Sequence, residues 1–236
     1  MTALPCINPG FDRPCEARST TRVGGCSPSP YDQLNLSLSS DDQASKVLAN
    51  RKRLASELPS EPGWLQQIHG TQLIHLDDWQ PGVEADAAWT DRPRQVAVVL
   101  TADCLPILIA DSRQGRVAAI HAGWRGLADG IIPTVLDQLD ISSDSMAWVG
   151  PSIRQPAYEV GAEVVQAFPE HADQFVPNAD GRWQASLQGI AVNQLGAAGV
   201  GRVIDSGICT YQDEAHYFSH RRSAPCGRQA SLIWLE

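Results

Sequence analysis

The stretch VAVVLTADCLPILIADSRQGRVAAIHAGWRG, Val96–Gly126, decides the fold. Its first half is apolar and β-branched, but Pro106 stands inside it, which a helix interior does not tolerate. It reads as a buried strand over Val96–Leu100, a polar corner at Thr101–Cys104, and a second strand after the corner. Gly115 marks a turn, and Arg116–His121 is a third strand.

Downstream, Leu127–Leu139 fits a helix, with Pro133 an awkward inclusion that kinks it. Met146–Val149 is a strand ended by Gly150-Pro151, Val160–Phe168 and Leu187–Ala197 are helices, and Arg202–Ile208 and Ser231–Leu235 are strands. Upstream, Asp41–Leu58 reads as a helix, with Val47, Leu48 and Leu54 on one side. Trp64–Leu76 reads as extended chain interrupted near Gly70, and residues 20–40, rich in Gly, Ser, Pro and Asn, read as loops. Strands and helices mix without strict βαβ alternation. The expectation is one α+β domain spanning 1–236, mixed sheets flanked by helices, with 1–18 a loosely ordered N-terminal segment.

The 236 residues are 43% hydrophobic, enough to bury a sizeable core, and the net charge is −9. That balance argues against a protein that coats nucleic acid or an anionic membrane, since both require a basic face. No apolar run approaches the ~20 residues of a membrane span. The N-terminus lacks a basic start followed by an apolar stretch, so no secretory signal is expected. The six cysteines form no CxxC pair. Reduced thiols in the cytoplasm are the economical expectation. The oligomeric state is left open.

Three residues stand out as metal ligands: His69 in QQIHGTQ, Cys104 in TADCLP and His121 in AIHAGW, 35 and 17 positions apart. Such gaps bring ligands from three segments, as in catalytic zinc sites where three protein ligands leave a fourth position open. One thiolate and two imidazoles suit Zn²⁺, with copper a competitor. The bland alternative is a small core cysteine and two satisfied polar histidines. A rival use of the same atoms makes Cys104 a nucleophile with His121 as its base. Asp86 and Asp103 are the nearby carboxylates, although an extended corner would point Asp103 away from Cys104. Arg22 in TTRVGG, Arg125 in GWRG, and Arg221 and Arg222 in FSHRRS sit among small residues, where guanidinium forks grip phosphate or carboxylate. Glycines beside Arg125 would admit an anion to the start of a helix after Gly126. His75, His171 and His216 look ordinary; His220, flanked by Ser219, Arg221 and Arg222, does not.

In order along the chain, TTRVGGCS, QIHGTQ, DAAWT, TADCLPILI, IHAGWRGL, GPSI, YEVG, CTY, YFSHRR and GRQ resemble the YfiH-like, laccase-domain family from about Ser19 to the end. This family is also called the purine nucleoside phosphorylase or polyphenol oxidase family, and some members are named peptidoglycan editing factor. The resemblance implies mixed sheets with flanking helices, in an architecture like that of a cysteine-hydrolase type toxin deamidase. It implies zinc on His69, Cys104 and His121. It also implies phosphorolysis of adenosine, guanosine, inosine and 5′-methylthioadenosine, with adenosine deamination. Arg51 in VLANRKRL and Arg125 are similar to family residues near the site. The expected catalytic residues are therefore Arg125, Arg51 and Cys104, with Arg22, Arg125 and Arg221 binding phosphate or substrate. The name laccase fits poorly: a multicopper oxidase uses about ten histidines, many as HxH pairs, by general copper chemistry, and this chain has six with no HxH. Two alternatives stand beside the phosphorylase: an amidohydrolase editing cell-wall precursors through Cys104, and a non-catalytic module with structural zinc closed by a fourth protein ligand.

Overall fold

The computed structural model describes residues 3–236. In chain order its elements are β1 (Cys6–Ile7), β2 (Cys15–Thr20), α1 (Ala44–Ala55), β3 (Leu73–His75), β4 (Ala87–Thr90), β5 (Ala97–Thr101), β6 (Leu105–Asp111), β7 (Arg116–Ala122), α2 (Trp124–Ala128) and α3 (Ile131–Leu139). There follow β8 (Met146–Val149), β9 (Glu159–Val160), α4 (Ala162–Gln166), β10 (Phe175–Pro177), β11 (Trp183–Ala185), α5 (Leu187–Ala197), β12 (Arg202–Asp205) and β13 (Gln229–Leu235).

A six-stranded mixed sheet runs β12-β8-β6-β7-β4-β3, a four-stranded sheet runs β1-β2-β13-β5, and a small sheet is β10-β11-β9. The alternation of side chains along β6 and β7 decides the layering. Ile107, Ile109, Ala118 and Ile120 face one core with Leu127, Ile131, Val135 and Ile190 of the helices. Leu108, Ala110, Val117 and Ala119 face a second core with Ala17, Val99 and Ile233 of the four-stranded sheet. A third core packs Leu54 of α1 and Leu34 and Leu36 of the preceding loop on the far side of that sheet, against Val98 and Leu232. All seven residues of β6 are buried, which is why its sequence is a continuous apolar run. The α+β expectation with mixed sheets and flanking helices holds.

Several boundaries differ from expectation. The helix over Leu127–Leu139 is two: α2 and α3 are separated at Gly130, whose φ is +83°. Pro133 then falls in the first turn of α3, where its missing N–H has no intrahelical acceptor, so it kinks nothing. Residues 64–76 hold the short β3, a single bridge at Gln66 and the start of a 3₁₀ turn at Leu76, and the predicted helices at 41–58 and 160–168 contract to α1 and α4. The segment 1–18, expected to be loose, contains β1 and most of β2. Cys6 and Ile7 pair with Thr20 and Ser19, and β2 runs antiparallel to β13 from Ser19 to Cys15. CEARST carries too little apolar signal to be recognised, because Ser19 is sealed by a hydroxyl contact with Ser231 (2.9 Å).

Candidate metal centre and its cleft

The corner at Thr101–Cys104 is where the chain leaves the four-stranded sheet and enters the six-stranded one. Asp103 makes this step possible with a φ of +93°. Its carboxylate accepts from Thr210 Oγ1 and from the Arg221 backbone N–H, both at 2.7 Å. Cys104 follows at the head of β6. His121, opposite Pro106 on β7, reaches the same end of the sheet. His69 comes from the loop before β3, itself at φ +62°, a conformation costing a non-glycine residue about 1–2 kcal/mol.

That loop is fastened to both sheets. Gln67 exchanges two hydrogen bonds with the Leu100 backbone (2.8 and 2.7 Å). Asp86, fully buried, accepts from the backbone N–H groups of Ile68, His69 and Gly70 at 3.2, 2.9 and 2.7 Å. The same carboxylate bonds His121 Nδ1 at 2.7 Å. This is the arrangement that fixes a ligating imidazole: Nδ1 is committed to a carboxylate and Nε2 is left for the metal.

The ligand atoms of His69, Cys104 and His121 lie within 4.8 Å of one another, and Cys104 Sγ is 4.0 Å from His69 Nε2. Zinc bonds of about 2.0–2.3 Å place tetrahedral donors about 3.3–3.6 Å apart, so small rotations close the set. Gly123 supplies the room: a Cβ there would stand 3.0 Å from His69 Cδ2 and 3.2 Å from Cys104 Sγ. At Gly126 it would stand 3.0 Å from the Gly70 carbonyl oxygen. The glycines of HAGWRG therefore admit the His69 loop, where the sequence suggested that they admit an anion, and α2 begins at Trp124 rather than after Gly126. Burial opposes a thiolate at Cys104, but the His121 and His69 rings outweigh it and pull the thiol down. Burial likewise opposes a charged His121, and Cys104 and Asp86 push its pKa up. Burial opposes ionised Asp86 too, yet the bonds from His121 and Gly70 hold its pKa below the usual range. The donor set fits a zinc-class divalent cation, and among the described residues no fourth His, Cys, Asp or Glu joins it.

The ligands line a cleft of about 490 Å³. Arg51, Tyr158, His220, Arg221 and Arg228 line its walls. Arg221 lies over the Tyr158 ring (5.1 Å) and donates to the Glu159 carbonyl oxygen (2.9 Å). Arg51 lies over Trp64 (3.9 Å), and burial lowers its pKa to about 10. Arg125 is exposed against Trp124 (4.4 Å), outside the lining, yet close enough for its charge to favour the ionised form of Tyr158. Arg22 is elsewhere. It is pinned by the Asp32 carbonyl (2.7 Å) and carboxylate (3.3 Å) and the Glu214 carbonyl (3.2 Å), beside Phe218, and does not line the cleft where it was expected to bind an anion. Asp103 lines the cleft and Asp86 lies behind it, but the hydrogen bonds above occupy both carboxylates. Sequence reading gave no role to Tyr158, Gln67 or Arg228; the usable signal for the last was an arginine beside a glycine in GRQ, the same pattern that drew notice to Arg125.

The sequence profile of the family described as multi-copper polyphenol oxidoreductase laccase matches residues 16–236. A purine nucleoside phosphorylase of Pseudomonas aeruginosa is 43% identical over 98% of both chains. The purine nucleoside phosphorylase YfiH of Escherichia coli is 40% identical over 93% of both. The crystal structure of a Neisseria meningitidis protein superposes with a TM-score of 0.93 at 36% identity, covering 98% of this chain and 99% of that one. The chain belongs to the laccase-domain family. Of its six histidines only His69 and His121 enter a candidate metal group among the described residues.

Proposed function

We propose that this family member is a purine nucleoside phosphorylase, with adenosine, guanosine, inosine and 5′-methylthioadenosine as substrates and zinc as its metal, copper being the competitor. The observation that carries the reading is a cleft with three guanidinium groups, Arg51, Arg221 and Arg228, opening onto three metal donors in a protein of net charge −9. A local positive field of that kind concentrates phosphate against the overall charge.

In the reaction a phosphate oxygen forms a bond to ribose C1′ while the C1′–N9 bond breaks. The electron pair leaves with the purine, which takes up a proton, giving free base and ribose 1-phosphate. The transition state has oxocarbenium character, so positioning and charge stabilisation carry the rate. Guanidinium groups of Arg51 and Arg228 hold the phosphate, and Arg221, laid over the Tyr158 ring, lines the wall beside the base. Arg125, exposed and outside the lining, adds positive charge on the Tyr158 side. Asp86 holds His121 and the His69 loop in register. His69, Cys104 and His121 would hold the zinc, which when bound would supply a Lewis acid to the cleft. Adenosine deamination belongs to the same proposal. In it a water oxygen forms a bond to C6 while the C6–N6 bond breaks and ammonia leaves; with Asp86 and Asp103 engaged, His220 on the cleft wall is the ring that carries the water proton to the departing nitrogen.

Purified protein given inosine and phosphate is expected to release hypoxanthine and ribose 1-phosphate in equal amounts, and adenosine to release ammonia. Absence of ribose 1-phosphate at any phosphate concentration overturns the phosphorylase. A second reading is favoured by one observation: Cys104, His121 and Asp86 stand in the order nucleophile, base and orienting carboxylate. An amidohydrolase of that type cleaves a muramyl-peptide amide after complete chelation, whereas phosphorolysis through a metal centre does not survive it.

A further inference from the structure

One end of the cleft takes no part in holding metal. It is built around Asn35, which is fully buried. Asn35 Oδ1 accepts from the backbone N–H groups of Ser37 (3.1 Å) and Arg228 (3.0 Å). Its Nδ2 donates to Ser40 Oγ (2.8 Å) and Asp42 Oδ2 (3.0 Å). The next carbonyl, Leu36 O, accepts Arg51 Nε at 2.8 Å. Two consecutive residues thus position both arginines and the serine loop.

Arg51 is held rigid by that bond and by the Trp64 ring, yet its terminal nitrogens meet no acceptor among the described residues. The carboxylate whose charge it feels is Glu61, which accepts from Trp64 Nε1 (2.9 Å). Arg228 gives NH1 to the carbonyls of Cys226 (2.8 Å) and Gly227 (2.9 Å), which fixes the plane of its fork. Thr101 lines the cleft beside them, and its buried hydroxyl has no hydrogen-bond partner. A buried unpaired hydroxyl is costly, and two immobilised guanidinium forks match a tetrahedral oxyanion. Tyr158 and Arg221, with the Arg221 guanidinium 5.1 Å from the Tyr158 ring, line the same cleft as the three metal donors.

We propose that the Arg51–Arg228 end, with the Ser37–Ser40 loop and Thr101, is the subsite for inorganic phosphate, and that the nucleoside lies with its base toward His69, Cys104 and His121. This rests on the phosphorylase reading. It orders the reaction along the cleft: phosphate enters C1′ from the Arg51 side and the base departs on the metal side.

The test is steady-state phosphorolysis of inosine by zinc-loaded protein, with phosphate and inosine varied separately. Arg51→Met is expected to raise the phosphate KM about tenfold or more, as loss of a charge-assisted bond implies, with the inosine KM within about twofold. Thr101→Val, nearly isosteric, is expected to raise it about threefold, and Thr101→Ser to restore it. Unchanged phosphate KM in Arg51→Met and Thr101→Val, with a raised inosine KM, overturns the subsite and leaves the phosphorylase standing. If wild type makes no ribose 1-phosphate, the phosphorylase reading fails by itself, and calorimetry with inorganic phosphate decides the subsite: weaker binding in Arg51→Met supports it, equal binding overturns it. Should Arg51→Met not fold, the Thr101 pair carries the same comparison.

Discussion

The β6–β7 hairpin has two ends, and each carries a buried carboxylate and a glycine. At the turn, Asp111 accepts from the backbone N–H groups of Arg113 (3.1 Å), Gln114 (3.0 Å) and Ser142 (2.6 Å). At the open end, Asp86 accepts from three backbone N–H groups in the same fashion, but also bonds His121. Gly115 in the turn stands at φ +66° with nothing near its missing Cβ. Gly123 at the open end has an ordinary φ of −76°, and its missing Cβ is where the metal ligands pack. One end uses carboxylate and glycine to close a loop. The other uses them to hold a ring and clear space beside a thiol. Burial and hydrogen bonding alone do not distinguish a functional corner from a structural one; what the carboxylate touches besides backbone does.

The sharpest way to break this comparison is to remove the sulfur. Cys104→Ala is expected to reduce bound zinc to background and phosphorolysis by about a hundredfold or more, with a melting temperature close to that of metal-free wild type. Asp86→Asn comes next, weakening zinc about 10- to 100-fold through loss of the imidazole's partner, as read by competition with a chelator. Asp111→Asn should cost about 1–3 kcal/mol of stability by leaving backbone donors poorly matched, with zinc content and kcat/KM unchanged. Its pH dependence has a definite sign. Burial opposes ionisation of Asp111, but the N–H groups of Ser142 and Gln114 outweigh it and hold the pKa low. The stabilisation is therefore present above the unfolded value of about 3.9 and is lost as pH falls through the folded value. The gap in melting temperature between wild type and Asp111→Asn should be full at pH 6 and shrink below about pH 4. The smallest effects separate the glycines. Gly115→Ala should cost about 1 kcal/mol of stability and nothing in zinc affinity, and Gly123→Ala should lower zinc affinity several-fold with a smaller stability change. Equal effects of the two glycines on zinc would erase the distinction between the ends.

The layers were legible because β6 and β7 are buried on both faces, which leaves a continuous apolar run in the sequence. The metal donors were legible as residue types beside strand ends. Their second contacts were not: Asp86 lies 35 positions from His121, and nothing local marks which carboxylate it meets. Arg22 was misplaced for the same reason, since its neighbours in TTRVGG say nothing of Asp32 and Glu214 closing on it. The split between α2 and α3 hid in Gly130, whose left-handed φ is a tertiary choice that a periodic apolar pattern passes over. The order in residues 3–18 was missed because β2 is sealed by β13, near the opposite end of the chain, rather than by its own side chains.

The central claim is that three distant stretches assemble one metal site of one sulfur and two nitrogens. X-ray absorption at the zinc edge of the purified protein tests it most directly. The expected first shell is one sulfur at about 2.3 Å and two imidazole nitrogens at about 2.0–2.1 Å, with the sulfur scatterer absent from Cys104→Ala. A shell without sulfur in wild type, or a spectrum that Cys104→Ala leaves unchanged, would contradict it.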